Sequence, residues 1–236
     1  MTVAINTGNT ADTNYDALSS QSVSVTTSDS DTASFTIVQT NNSTSVAESG
    51  STDTFTVVLG SQPTDDVVFS VMAGDSSEAT VSPSTLSFTS SNWNTTQTVT
   101  VTGVNDDVDD GSVNSTIAVA INTASTGDSK YDLLSSQSVT VSTSDGDTSG
   151  FSIAETGGST AVSESGSTDT FTVVLGSEPT GNVAFSLSDN DSDDSEISLS
   201  SSTLTFTSSN WNTAQTVTVT GVNDNVSDDN VTSTIT

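Results

Sequence analysis

Apolar residues along this chain fall in short alternating runs. Phe55, Val57 and Leu59 alternate with polar residues, as do Val67, Phe69 and Val71, and Ile117, Val119 and Ile121. A period of two turns one face of a strand toward a core. The runs are rich in Val, Ile, Phe and Thr, which suit a pleated, half-buried surface. Phe35 and Ile37 open one unit, and Val46 follows just before Glu48. Val81, then Leu86 and Phe88, then Val99 and Val101, come later, and Val139 and Val141 close the unit. Ser49-Gly50, Gln62-Pro63, Gly74-Asp75, Pro83, Gly103 and Gly127-Asp128 break the runs. No window carries a 3.6-residue apolar period. The pattern predicts an all-β antiparallel sandwich of about seven strands, with essentially no helix.

The unit occurs twice. Glu48 to Ser61 recurs without change as Glu164 to Ser177, an offset of 116 residues. Phe88 to Thr95 recurs as Phe206 to Thr213 at an offset of 118, so two residues are inserted around Asp189 to Asp194. The opening segment is also repeat material: Val3, Ile5, Tyr15-Asp16 and Gln21-Ser22-Val23 match Val119, Ile121, Tyr131-Asp132 and Gln137-Ser138-Val139. A period of this length is the size of one sandwich domain and too long for a solenoid coil. Three segments are expected. Residues 1–33 are the C-terminal strands of a preceding repeat, or are donated to a neighbouring copy. Residues 34–149 form a complete repeat, and residues 150–236 a second repeat without its last strands.

Composition narrows the chemistry. The chain has 236 residues, a net charge of −29, no His and no Cys, and Lys130 as its single basic side chain. A content of 31% hydrophobic residues lies near the border of disorder, but the alternation above argues for a fold. There is no basic patch for nucleic acid and no apolar run long enough to span a membrane. Thiolate, imidazole and His/Cys zinc chemistry are excluded by residue type. Catalysis would need a carboxylate-only site, and no Asp pair stands apart from its repeat copy, so a non-enzyme is expected. The acids are mostly Asp, a residue of turns and hard-cation sites. Asp106, Asp107, Asp109 and Asp110 follow one strand, Asp145 and Asp147 lie at the domain end, and Glu48 ends another strand. These runs read either as solvated turns or as oxygen ligands for Ca²⁺.

The unit resembles the Calx-β family and the similar immunoglobulin-like repeats of giant bacterial RTX-type adhesins. The residues that carry the likeness are Val46-Ala47-Glu48, Leu86-Ser87-Phe88, Asn92-Trp93-Asn94 leading into Gln97 to Val101, Val104 to Gly111, and Ser144-Asp145-Gly146-Asp147. The resemblance implies tandem immunoglobulin-like β-sandwiches with Ca²⁺ in loops at one pole, near the next domain. It implies Glu48, Asp106, Asp107, Asp145 and Asp147 as ligands of the complete repeat, with Asp75 a weaker candidate. Asp29 and Asp31 are the corresponding pair of the opening segment. Glu164, Asp224, Asp228 and Asp229 are the second repeat's set, which departs from the first at Asn225. It further implies an extracellular, bacterial cell-surface location and an extender role in an adhesin or filament.

The alternative role is adhesion by the module itself, to carbohydrate or ice. Trp93 and Trp211 can stack on sugars or cap the core. The row Thr98, Thr100 and Thr102 can face ice or simply water. Tyr15 and Tyr131 are expected to tie down a loop through their hydroxyls. Thr2 aligns with Ala118 and Ala118 with Thr236, so the chain stops in the register where it began. The expected partners are therefore neighbouring copies, joined head to tail by strand complementation or by covalent continuity.

Overall fold

The computed structural model describes residues 1–189, 196–223 and 230–236. An opening hairpin pairs β1 (Thr2–Val3) with β2 (Gln21–Ser22) around a one-turn helix, α1 (Thr13–Asp16). Asp12 caps that turn by accepting from the Asn14 amide at 2.9 Å. Two 3₁₀ turns, Thr40–Asn42 and Thr156–Gly158, are the other helical pieces among the described residues. None of these is long or apolar enough to cross a membrane.

The first sandwich comprises nine strands. They are β3 (Phe35–Gln39), β4 (Thr44–Ala47), β5 (Thr52–Leu59), β6 (Val67–Ala73), β7 (Ala79–Ser82), β8 (Thr85–Phe88), β9 (Gln97–Gly103), β10 (Val113–Ile121) and β11 (Gln137–Ser144). One sheet has the order β3-β5-β9-β7 and the other β4-β11-β10-β6-β8. All pairs are antiparallel except β4 with β11. The alternating positions named from sequence fill the space between the sheets. Phe55, Val57, Phe69, Phe88, Val99, Val101, Ile117, Val119 and Val141 are all buried. Phe69 is the centre of an edge-to-face chain, 4.9 Å from Phe35 and 5.8 Å from Phe88. Trp93 packs half-buried against this core. Outward Thr side chains face each other in rows, Thr52 opposite Thr102, Thr54 opposite Thr100 and Thr56 opposite Thr98.

Buried polar groups fasten the β10–β11 connection. The Tyr131 hydroxyl donates to the Ser61 carbonyl at 2.6 Å. Asp128, also buried, accepts from the Thr64 amide and hydroxyl and from the Lys130 amide. Burial raises the Asp128 pKa, but those amide and hydroxyl donors outweigh it and hold the carboxyl below its usual range.

The second sandwich repeats the plan. It contains β12 (Phe151–Glu155), β13 (Thr168–Leu175), β14 (Val183–Ser186), β15 (Ile197–Leu199), β16 (Thr203–Phe206) and β17 (Gln215–Gly221). The sheet β12-β13-β17-β15 reproduces the first sheet, and β14-β16 reproduces β6-β8. The Phe chain recurs, with Phe185 4.9 Å from Phe151 and 5.9 Å from Phe206. Ile235 bridges Asp189, the same register as Ile117 opposite Ala73. Among the described residues nothing occupies the place of β11, and residues 160–163, in the place of β4, form no strand. One face of the second core therefore opens into a cavity of about 1360 Å³ lined by Phe151, Ile153, Phe171, Val173, Phe185 and Leu187, among others.

Truncating Phe69 to Ala removes the centre of the first core and is expected to cost about 3–5 kcal/mol. Urea unfolding followed by Trp fluorescence checks this. Phe185→Ala, at the half-open counterpart, should cost less, since water already reaches that site.

Candidate metal centre

Glu48 follows β4, and its backbone amide donates to the Ser144 carbonyl at the end of β11. This pairing buries the Glu48 side chain, which is 3% exposed. Its Oε2 accepts from the Gly146 amide at 3.1 Å. Gly103, at the end of β9, passes directly beneath the same strand, and a Cβ there would overlap the Ala47 carbonyl oxygen. Only glycine fits that crossing. It delivers the following Asn105-Asp106 to the pole where Glu48 lies. Glu48, Asp106 and Asp147 each bring a carboxylate oxygen within 4.8 Å of the others. Oxygens that share a Ca²⁺ at 2.3–2.6 Å lie no more than about 5 Å apart, so this spacing fits one ion.

A fourth acid lies within electrostatic reach of this cluster. Glu78, just before β7, is 5% exposed, and its Oε2 has no hydrogen-bond partner among the described residues. A buried carboxylate oxygen without a donor is costly unless a proton or cation compensates it. Burial, reinforced by the charges of Asp110, Asp75, Glu48 and Asp106, pushes the Glu78 carboxyl up. Glu48 is raised by burial against the opposing Gly146 hydrogen bond, with Asp145, Asp106 and Asp110 adding to the rise. Asp147 is raised by desolvation and by Asp145, Asp107, Asp106 and Asp109. These groups share one strained electrostatic environment, the setting in which a divalent cation gives most relief.

The remaining expected ligands separate by role. Asp145 lies beside the cluster, but its oxygens accept from the Asp147 and Gly111 amides, which hold its carboxyl low. It braces the loop that presents Asp147. Asp107 is exposed, and its carbonyl accepts from the Glu178 amide at 2.6 Å. Asp75 caps its own turn through the Ser77 amide and hydroxyl. Asp29 and Asp31 are exposed and repeat the local brace, with the Asp31 amide donating to Asp29 at 3.0 Å. Asp29 also lies 3.6 Å from Lys130, an exposed pair of little energetic weight. Glu164 is half-buried, and among the described residues no segment corresponding to residues 144–146 covers it. Asp224, Asp228 and Asp229 lie outside the described residues. Sequence reasoning passed over Glu78, although it recurs as Glu196 and only six Glu occur in the chain.

The loop at this pole also touches the second sandwich. Val108 bridges Glu178 in parallel, and Asp109 accepts from the Ser149 amide at 2.7 Å.

No protein-family model matches the chain, and no curated protein sequence matches it. Solved structures with a similar course include the calcium binding domain CBD12 of CALX1.1, at 14% identity and a TM-score of 0.33, covering 80% of this chain and 76% of that one. Domains 5-6 of the S-layer protein SbsC are similar at 19% identity and a TM-score of 0.31, covering 81% and 85%. The E. coli chaperone DraB is similar at 10% identity and a TM-score of 0.34; the match covers 48% of this chain and only 55% of DraB. The class that the strands and sheets define is the immunoglobulin-like β-sandwich, here in tandem.

The raised carboxyls set a pH dependence. A group whose pKa is higher folded than unfolded stabilises the fold fully below its unfolded value, about 4.3 for Glu, and loses that contribution as pH rises through the folded value. In chelator, the melting temperature should therefore rise as pH is lowered from 7.5 toward 5. Below that, Asp128 and Asp145, whose pKa values are depressed, lose their contribution and reverse the trend. Calorimetry across pH in chelator checks both limbs.

Proposed function

We propose that this chain is a structural, non-catalytic repeat unit of an extracellular cell-surface protein, stiffened by Ca²⁺ at the acidic pole of each closed sandwich. The observation that carries the reading is the convergence of Glu48, Asp106 and Asp147 beside the buried, unpartnered Glu78 oxygen. Glu48, Asp106 and Asp147 would hold the ion, with Glu78 adding charge nearby and Asp145 fixing the loop. Bound there, the cation supplies positive charge that offsets the crowded carboxylates. The same loop meets Glu178 and Ser149, so fixing it also fixes the approach of the next sandwich. A role in length and reach suits near-identical copies and a chain with one trypsin site, at Lys130. An adhesin or surface filament is the setting that the resemblance to RTX-type extenders favours.

The affinity expected for such a module is weak, about 10⁻⁴ to 10⁻³ M. At a tenfold excess over Kd the ion adds about 1.4 kcal/mol, several degrees in melting temperature for a domain of this size. Glu48→Gln and Asp106→Asn should each abolish that increment while leaving the apo protein no less stable, since each relieves repulsion. Calorimetry with added Ca²⁺ and with chelator checks it. A melting temperature indifferent to Ca²⁺ would overturn the metal reading.

A further inference from the structure

We propose that the opening hairpin of one copy of this chain closes the second sandwich of another copy, joining chains head to tail. This deepens the structural-repeat reading and rests on it, but it does not rest on the metal.

The hairpin is already shaped for a sandwich it does not touch. Thr2 pairs with Ser22 and Val3 with Gln21, the register of Ala118 with Ser138 and Val119 with Gln137 between β10 and β11. Asp12 braces the Asn14 amide as Asp128 braces that of Lys130. The Leu18 amide donates to Tyr15 as that of Leu134 does to Tyr131. Yet its apolar face is in water. Val3, Tyr15, Val23 and Val25 are 58%, 52%, 50% and 73% exposed, whereas Val119, Tyr131, Val139 and Val141 are buried. An isolated two-stranded hairpin with an uncovered apolar face is barely stable.

The groove is the complementary half. Phe35 is 7% exposed in the closed sandwich and its counterpart Phe151 is 56% exposed. In the closed sandwich Gln137 donates to the Phe35 carbonyl, Tyr131 to the Ser61 carbonyl, and Asp128 accepts from Thr64. The hairpin carries Gln21, Tyr15 and Asp12 at those positions, and the groove carries Phe151, Ser177 and Thr180. A departure from the repeat is matched across the joint. Gly127 packs against the Asp65 carboxyl, where a Cβ would collide. The hairpin has Ala11 in place of Gly127, and the groove has Gly181 in place of Asp65, with open space above it. The extra methyl and the missing carboxylate compensate. Docking would also place Asp29 and Asp31 next to Glu164, as Asp145 and Asp147 stand next to Glu48. Filling a strand-sized groove buries on the order of 1,000–2,000 Å², the range of a specific interface. The contact is heterologous, so it propagates into filaments or closes into rings.

Sedimentation velocity on the full chain tests this, from micromolar to near-millimolar, in 0.5 M salt to screen the charge of −29. Masses in multiples of 23.9 kDa that grow with concentration are expected. Val23→Asp, at a position exposed in the free hairpin, should leave only monomer. Gly181→Asp should weaken association roughly tenfold, and adding Ala11→Gly should restore it. A wild-type chain that stays monomeric throughout overturns the proposal, as does assembly unaffected by Val23→Asp. Parallel runs in Ca²⁺ and in chelator separate the two readings. Assembly in both with no effect of Ca²⁺ on melting defeats the metal reading alone.

Discussion

A β-sandwich is stable only when each sheet's apolar face is covered by the other, and here one hairpin decides whether that condition is met. β10 and β11 complete the sheet that faces Phe35, Phe55 and Val57 in the first sandwich, and the core between the sheets excludes water. The corresponding segment, residues 1–25, stands with its Val and Tyr side chains exposed. The same Val and Tyr core positions thus show opposite burial, according to whether a partner face is present. Burial of a Val or Tyr side chain contributes on the order of 1.5–3 kcal/mol, so the closing hairpin carries a large fraction of a domain's marginal stability.

The acidic pole follows from that closure. Glu48 is buried because β11 runs beside β4 and its end folds over the side chain. In the second sandwich Val162 and its neighbours do not form a strand, and Glu164 is only half-buried. The pKa rise at Glu48, the spacing to Asp147 and the loop brace at Asp145 all come from one stretch of chain, Ser144 to Asp147. Packing therefore creates the electrostatic problem that a cation would relieve.

Much of this was legible in the sequence because period-two alternation and near-verbatim repetition reinforce each other. The core positions from Phe35 to Val141 follow from alternation alone. The strand number rises to nine because β4 and β7 are short edge strands. In β4 the inward residues are Thr44 and Val46, so a buried hydroxyl interrupts the apolar signal. At the pole, Glu48, Asp106 and Asp147 were visible as acids at strand ends. Which of two adjacent Asp residues turns inward was not visible. That depends on the path the backbone takes after Gly103, which sends Asp106 to the cluster and leaves Asp107 to meet Glu178 through its carbonyl. Glu78 escaped notice because it lies in no Asp run, and its burial comes from tertiary packing under Thr143 and Val104.

Closure, charge and joint meet in the residues from Ser144 to Gly150. This stretch ends the last strand of one sandwich, presents Asp145 and Asp147, and leads within a few residues into β12. Ser149 is held by Asp109 from the neighbouring loop, and that loop touches Glu178 on the next domain. Eight carboxylates, from Glu48, Glu78, Asp106, Asp107, Asp109, Asp110, Asp145 and Asp147, lie on or beside these segments. Their mutual repulsion acts outward on the loops that make the joint, whereas the strand pairing of β4 with β11 holds the pole together. The joint is therefore set by a balance between backbone pairing, which does not respond to ions, and carboxylate repulsion, which does. A change that reduces the repulsion, such as a bound divalent cation, would ease the outward push on these loops without altering either core.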